Sequence, residues 1–210
     1  MQVTLLNQPT LDICDLAISK CWMKEAKDPI ARMERVILKH KHASTAEHII
    51  YQFDIEGVSR ALLQELARHR IASPTVKSSR YTLGELKNLP PMLDLGSHGE
   101  ENITPEAIDR CSQFIVLTGI FEVDSASCRA LYTLQLLVQA GISNDKVKYC
   151  MPEAYRTSLV LTINARSLQN LLSLRSAPSA LWEFRDLANA MFDCIPVDQQ
   201  FLFTDCMKGN

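Results

Sequence analysis

Twice in this chain a run with a two-residue apolar period hands over directly to a residue suited to capping a helix. Ile49, Tyr51, Phe53 and Ile55 alternate with Ile50, Gln52, Asp54 and Glu56. Gly57 then ends the run, and Ser59 is placed to cap a helix from Arg60 to about Arg70. Arg156 to Ile163 repeats the arrangement, with Leu159, Leu161 and Ile163 on one face. There Asn164 is placed to cap a helix over Ala165 to Arg175, which Pro178 breaks. Strands that alternate in this way bury one face of a sheet, and the helices that follow must pack around it.

The other elements fit around these two units. Val3 to Leu6 reads as a short first strand. Thr10 is placed to cap a helix with Ile13, Leu16, Ala17 and Cys21 on one face. Asp28-Pro29 signals a second helix with Ile30, Met33, Val36 and Ile37 inward. Pro74 forces Ser73 out of helical geometry, and Arg80-Tyr81-Thr82 reads as a short extended run. Pro90 through Asn102, with Gly96, Ser97, His98 and Gly99, reads as a surface loop. Thr104-Pro105-Glu106 opens a helix carrying Ile108, Cys111 and Ile115. Another runs from about Asp124 to Gly141 with Leu131, Leu134, Leu137 and Val138. A short Val147–Cys150 segment stops at Met151-Pro152, and Ser179 to Ile195 reads as a last long helix with Leu181, Phe184, Leu187 and Met191. With no repeat and no linker, the expected architecture is α+β, an antiparallel sheet core with flanking helices in one domain over residues 1–210.

Composition excludes several classes. The net charge of −2 and pI near 6.2 give no global basic field, so any polyanion site must be local. Seven cysteines without a C-x-x-C pair suit reduced, mostly buried thiols of a cytosolic protein rather than a disulfide framework. The N-terminus lacks the basic and apolar regions of a signal peptide, and no run approaches the roughly 20 apolar residues of a membrane span. A soluble, cytoplasmic protein is expected.

Local positive charge concentrates in Arg60, Arg68, Arg70, Lys77 and Arg80, opposed only by Glu65. An isolated Arg-His-Arg at a helix end is usually a solvated terminus that complements the dipole. Here the helix is committed to the core, and Lys77-Ser78-Ser79-Arg80 adds hydroxyls and further cations, a donor set suited to phosphate oxygens. A second constellation is Asn164-Ala165-Arg166-Ser167-Leu168-Gln169-Asn170, leading to Arg175. Arg166 and Asn170 lie one turn apart, opposite Leu168, Leu171 and Leu172, at a helix start where anions are favoured. An ordinary N-cap with solvated neighbours would share that spacing. His40, His42 and His48 form a third group, but no Asp, Glu or Cys sits at a usual ligand spacing, so no metal is expected. The Walker loop, the nucleophile elbow and the dinucleotide fingerprint are all lacking. A flavin or nicotinamide, if bound, is not bound in the Rossmann manner.

Arg68-His69-Arg70, seven residues, then Ser78-Ser79-Arg80-Tyr81 resembles the signature of flavin-dependent thymidylate synthases. His42-Ala43-Ser44-Thr45-Ala46-Glu47-His48 is similar to that family's upstream block, and Asn164 to Asn170 through Leu174-Arg175 to its downstream block. The resemblance implies a homotetramer with active sites shared between subunits, and FAD held at Ser44, Arg68, His69, Arg70, Asn164, Arg166 and Asn170, with His42 near the flavin edge. It implies dUMP held by Glu65, Arg68, Lys77, Ser78, Ser79, Arg80, Lys148 and Arg175, with Arg175 polarising the uracil ring as the catalytic residue. It further implies methylenetetrahydrofolate as carbon donor, NADPH as reductant, and dTMP and tetrahydrofolate as products. Many members carry Asn-Glu where this chain has Thr75-Val76, Gln for Glu65, Arg for Lys148 and His for Ser179. Two other readings are a non-catalytic nucleotide- or RNA-binding module on the Arg68–Arg80 cluster, and a metal hydrolase on the three histidines. The first lacks interleaved aromatics, since only Tyr81 is near.

Overall fold

The computed structural model describes residues 1–95 and 101–208. Strand β1 (Gln2–Leu5) is followed by α1 (Asp12–Trp22), which the chain leaves through Met23 in the left-handed region, φ 51°. α2 (Pro29–Met33) begins where the Asp28 carboxylate accepts from the Ala31 N–H at 3.1 Å, and it widens into a π-helical turn over Glu34–Lys39. A 3-10 segment over Ala43–His48 leads into β2 (Ile50–Ser59), then α3 (Arg60–Leu66) and β3 (Ala72–Val76). α4 (Ser79–Thr82) runs on through a 3-10 turn over Leu83–Leu86, and β4 (Asp94–Leu95) pairs with β5 (Glu101–Asn102). α5 (Pro105–Ser112) and α6 (Phe121–Gln139) precede α7 (Asn144–Val147) with its 3-10 extension Lys148–Cys150. β6 (Arg156–Asn164) feeds α8 (Ala165–Arg175), followed by α9 (Trp182–Asp193) and 3-10 segments Val197–Leu202 and Thr204–Cys206.

The chain forms two compact units: Met1–Glu56, Glu65–Thr75 and Leu159–Asn210 in the first, Gly57–Gln64 and Val76–Ser158 in the second. In the first, the sheet order is β1-β2-β6-β3, and β1 runs antiparallel to β2, with Gln2 opposite Glu56 and Leu5 opposite Phe53. The alternating faces are realised: Tyr51, Phe53, Ile55, Leu159, Leu161 and Ile163 are all buried. Leu168, Leu171 and Leu172 of α8 and Phe184, Leu187 and Met191 of α9 are buried too, and the two helices pack on each other. The Tyr51 hydroxyl donates to Gln199 Oε1 at 2.7 Å, and the Gln199 amide donates to the Pro9 carbonyl at 2.8 Å, so a buried phenol is satisfied by the C-terminal segment.

Several expectations are corrected here. In α1 the buried residues are Cys14 and Ile18, while Ile13 and Leu16 are more than half exposed. Apolar residues surround this helix, so its period allowed either face; contact with Ala43–His48 selects the other one. Ile30 is likewise outward, at 43% exposure. Gly57 does not end its strand: with φ 73° it carries β2 on to Ser59 through a conformation other residues rarely adopt. Ser73 is extended rather than helical, as Pro74 requires, and Pro74 itself lies inside β3, at the edge of the sheet, where a missing N–H is tolerated. Arg80–Thr82 is helical rather than extended.

In the second unit, Thr104 caps α5 by accepting from the Ala107 N–H at 3.2 Å. The Asp124 carboxylate, in the first turn of α6, accepts from the N–H groups of Thr118 at 2.7 Å and Gly119 at 3.0 Å, which precede the helix. Leu83, Leu86, Cys111, Leu131, Leu134 and Val138 belong to its core. Gln135 is fully buried there, yet it accepts from the Met92 N–H at 2.9 Å and donates to the Pro90 carbonyl at 2.9 Å. Ile115, expected in α5, leaves it and forms an isolated bridge with Tyr155. The expected loop from Pro90 to Asn102 contains β4 and β5; its Gly96, Ser97, His98 and Gly99 lie outside the described residues. All seven cysteines are free thiols, and among the described residues no helix is long and apolar enough to cross a membrane.

Candidate active site

Helix α8 starts where the Asn164 side chain accepts from the Ser167 N–H at 2.8 Å, the cap that the sequence signals. Leu168, Leu171 and Leu172 fix its inner face, so Arg166 and Asn170 are left exposed on the other side. Arg175 is its last residue. α3 ends at Leu66, earlier than the periodicity suggests, and Arg68-His69-Arg70 follows in the turn before β3. These two segments line a cleft of about 710 Å³ in the first unit. Arg68, His69, Arg70, Arg166, Asn170 and Arg175 all face it, with Ile37, Ile71 and Leu174 as apolar wall and Lys41 and Asp205 as further charges.

Arg175 is held on three sides. Its Nε donates to His69 Nε2 at 3.0 Å, one terminal nitrogen donates to the Glu65 carboxylate at 2.9 Å, and the other donates to the Glu65 carbonyl at 3.2 Å. The guanidinium carbon lies 4.7 Å from the centre of the Phe184 ring, whose edge-to-face partner is His69 at 5.9 Å. Arg68 also donates to Glu65, at 3.2 Å. The bond from Arg175 is the largest cause that holds the Glu65 carboxyl below its ordinary pKa; burial opposes it, and the charges of Arg68 and Arg175 add to the lowering. Burial first, and the Arg175 charge second, push the His69 imidazole below its ordinary value, with Glu65 opposing. Since Nε2 accepts a hydrogen bond, the neutral ring carries its proton on Nδ1.

Not every expected residue joins this cleft. The Asn164 side chain is the α8 cap, Ser44 lies in the 3-10 segment before β2, and His42 stands exposed 6.4 Å from the His40 ring. Among the described residues no group of three His, Cys, Asp or Glu side chains is placed to share a metal ion. In the second unit, Lys77 is committed twice: its ammonium pairs with Glu85 at 3.0 Å, and its N–H donates to the Ser158 carbonyl at 2.8 Å. Glu85 also accepts from the Tyr155 hydroxyl at 3.0 Å. Ser78 stands at the N-terminus of α4, Ser79 begins it, and the Arg80 carbonyl accepts from Asn144 at 2.8 Å. Lys148 is half-buried after α7.

Residues 9–196 match the family model described as thymidylate synthase complementing protein. The flavin-dependent thymidylate synthase of Campylobacter jejuni is 47% identical over 216 residues, covering 100% of this chain and 99% of that one. That of Wolinella succinogenes is 47% identical over 215 residues and all of both chains. The chain belongs to the flavin-dependent thymidylate synthase family. A crystal structure of thymidylate synthase X from Helicobacter pylori with FAD and dUMP superposes with TM-score 0.91 at 43% identity, covering 99% of this chain and 100% of that one. A flavin-dependent thymidylate synthase therefore accounts for the three sequence blocks and for the non-Rossmann α+β fold together. Sequence reasoning missed Phe184, read only as core, and Lys41 and Asp205 on the cleft wall. No local motif marks them; they reach the cleft through tertiary packing.

Proposed function

We propose that this protein converts dUMP to dTMP with FAD as bound cofactor, methylenetetrahydrofolate as carbon donor and NADPH as reductant, releasing tetrahydrofolate. The observation that supports it most is the full-length likeness to the H. pylori enzyme with FAD and dUMP, joined to a cationic cleft built from two of the family's blocks. The donor set fits a flavin dinucleotide. Arg68, Arg70, Arg166 and Lys41 suit its pyrophosphate, and the Ile37, Ile71 and Leu174 wall suits an apolar ring. Arg68, His69, Arg70, Arg166 and Asn170 would hold it, with Ser44, Asn164 and His42 as further contacts. When bound, the flavin supplies hydride and carries the one-carbon unit to the pyrimidine.

For dUMP, we assign Ser78, Ser79, Arg80 and Lys148 to the phosphate and sugar, and Glu65, Arg68 and Arg175 to the base, in an active site shared between subunits. Lys77, neutralised by Glu85, contributes less than its charge suggests. Arg175 stabilises the negative charge that develops as C5 becomes nucleophilic. We place this activity in one domain spanning residues 1–210, assembled as a cytoplasmic homotetramer with shared active sites. Anaerobic incubation with FAD, dUMP, NADPH and methylenetetrahydrofolate tests the reading. Equal amounts of dTMP and tetrahydrofolate support it; a colourless protein that binds RNA and makes no dTMP replaces it with the binding module.

Two substitutions probe the assignment of contacts. Arg166→Ala is expected to weaken FAD binding by about 1.5–3 kcal/mol, the scale of a charge-assisted hydrogen bond, and dUMP binding by less. Separate titrations of the two ligands measure this, and unchanged FAD affinity removes Arg166 from the cofactor site. Ser78→Ala is expected to keep dTMP formation while weakening dUMP binding by about 1 kcal/mol, one lost hydroxyl contact. No general base among the described residues is bonded to the Ser78 hydroxyl, so a nucleophilic role has no support. A trapped adduct between Ser78 and the nucleotide would reverse this conclusion.

A further inference from the structure

Arg175 has five N–H donors, and three of them are engaged by His69 and Glu65. An acceptor arriving in the cleft has at most two left to meet, in a plane already set by the Phe184 face below. Such a guanidinium is not a loose cation on a long stem. Its orientation is chosen before the substrate arrives, and preorganised donors are the ones that act on a developing charge.

We propose that His69 is a positioning residue for Arg175: its neutral imidazole, accepting at Nε2, locks the guanidinium together with Glu65, and protonation of His69 releases that lock. The proposal rests on the reading of Arg175 as the residue facing the uracil ring. Glu65 meets only the two terminal nitrogens, through its carboxylate and its carbonyl, so it holds the outer end of the planar group. The inner edge, at Nε, is held by His69, and that third contact completes the lock.

An imidazolium would carry N–H on both nitrogens and would point one of them at the Arg175 Nε–H, so the hydrogen bond becomes a repulsion. The groups facing the ring agree with a neutral state. Arg175 approaches from α8, Phe184 from α9 and Glu65 from α3, and Arg68 and Arg70 flank it in its own turn. The cleft adds Lys41, Arg166, Asp205 and Cys206. Cations outnumber carboxylates in this set, so added positive charge on His69 is disfavoured. The imidazole is shifted below its ordinary value, so the lock is intact at neutral pH and opens as the pH falls through that lowered value.

Two variants separate positioning from bulk. His69→Gln offers a non-titrating acceptor near the place of Nε2, and His69→Leu offers none. With FAD and dUMP saturating and flavin content matched, single-turnover dTMP formation is measured from about pH 5 to about pH 8. His69→Leu is expected to be about tenfold slower than wild type at the alkaline end, the scale of one lost hydrogen bond. His69→Gln is expected to be impaired less than His69→Leu at the alkaline end and to lack the acid loss of the wild-type profile. Nitrogen-15 spectra of the histidine rings in the wild-type protein with FAD bound give an activity-independent readout: one ring is expected as the Nδ1–H tautomer at neutral pH, and its signal disappears in both variants. Equal impairment of the two variants, an acid limb retained in His69→Gln, or an Nε2–H tautomer overturns the proposal. A wild-type protein that makes no dTMP at any pH overturns the functional reading on which the proposal stands, a result distinct from all three.

Discussion

Arg175→Lys is expected to lower single-turnover dTMP formation at saturating dUMP by about 10²-fold or more, the scale for losing one preorganised donor at a reacting centre. Lysine keeps the charge but not the plane. An ammonium has three donors radiating from one atom, so it cannot bond His69 Nε2, the Glu65 carboxylate and the Glu65 carbonyl while lying flat on Phe184. The side chain is 16% exposed, so solvent does little to make up for the lost partners. Glu65 keeps its contact with Arg68 in the variant, and that pair, with Arg68 73% exposed, is weak. FAD content and NADPH oxidation without dUMP are expected to stay close to wild type, because Arg166, Arg68 and Asn170 are untouched. The decisive measurement pairs dTMP formation with flavin reduction. A lysine variant that makes dTMP at the wild-type rate would make Arg175 a binding or structural residue and remove the basis of the mechanism.

The parts of this site that were legible in the sequence are those set by local chemistry. Asn164, Thr104 and Asp28 cap helices as their positions suggest, because a short polar side chain satisfies orphan N–H groups within its own turn. The alternating runs in β2 and β6 bury the faces expected of them, since a one-residue slip would turn every apolar side chain to water. Arg68, His69 and Arg70 could be singled out because they stand together in the chain. The engagement of Arg175 with His69 and Glu65 could not: Glu65 and Arg175 are 110 residues apart, and neither side chain carries a mark of the other. Phe184 follows the same logic in reverse. Its period placed it in the core, where it is, but one ring face also carries a guanidinium, and hydrophobic periodicity is silent about that. In α1 the signal was ambiguous in itself, since Ile13 and Leu16 compete with Cys14 and Ile18 and only the packing partner decides. The 3-10 segments Val197–Leu202 and Thr204–Cys206 have too few turns to show a period, yet they bring Leu202 and Cys206 to the cleft.

Asp15→Ala is expected to destabilise the first unit by about 3–5 kcal/mol, the range for stripping one partner from a buried ion pair. Arg32 is only 6% exposed, and its Nε donates to the Asp15 carboxylate at 3.1 Å while a terminal nitrogen pairs with the same oxygen. The other terminal nitrogen donates to the Lys24 carbonyl at 2.8 Å, and the one paired with the carboxylate also meets the Ser19 hydroxyl at 2.6 Å and the Asp15 carbonyl at 3.1 Å. Those contacts satisfy hydrogen bonds but not charge. Removing the carboxylate therefore leaves a cation that water reaches poorly, between α1 and α2. Asp15 is 22% exposed, which admits some solvent and places the effect at the lower end of the range. A loss of about 3 kcal/mol corresponds to a fall of about 6–12 °C in Tm for a chain of this size. Replacing both residues, Asp15→Leu with Arg32→Met, removes the charge together with its partner, so it should recover much of the loss even though Asp15→Ala does not. Lys20→Ala, a solvated position on the same helix, serves as the control and should stay within about 0.5 kcal/mol of wild type. Urea unfolding of the four proteins decides the matter. If Asp15→Ala unfolds at the wild-type midpoint, the pair is not what holds Arg32 between these helices, and its hydrogen bonds to Lys24 and Ser19 suffice.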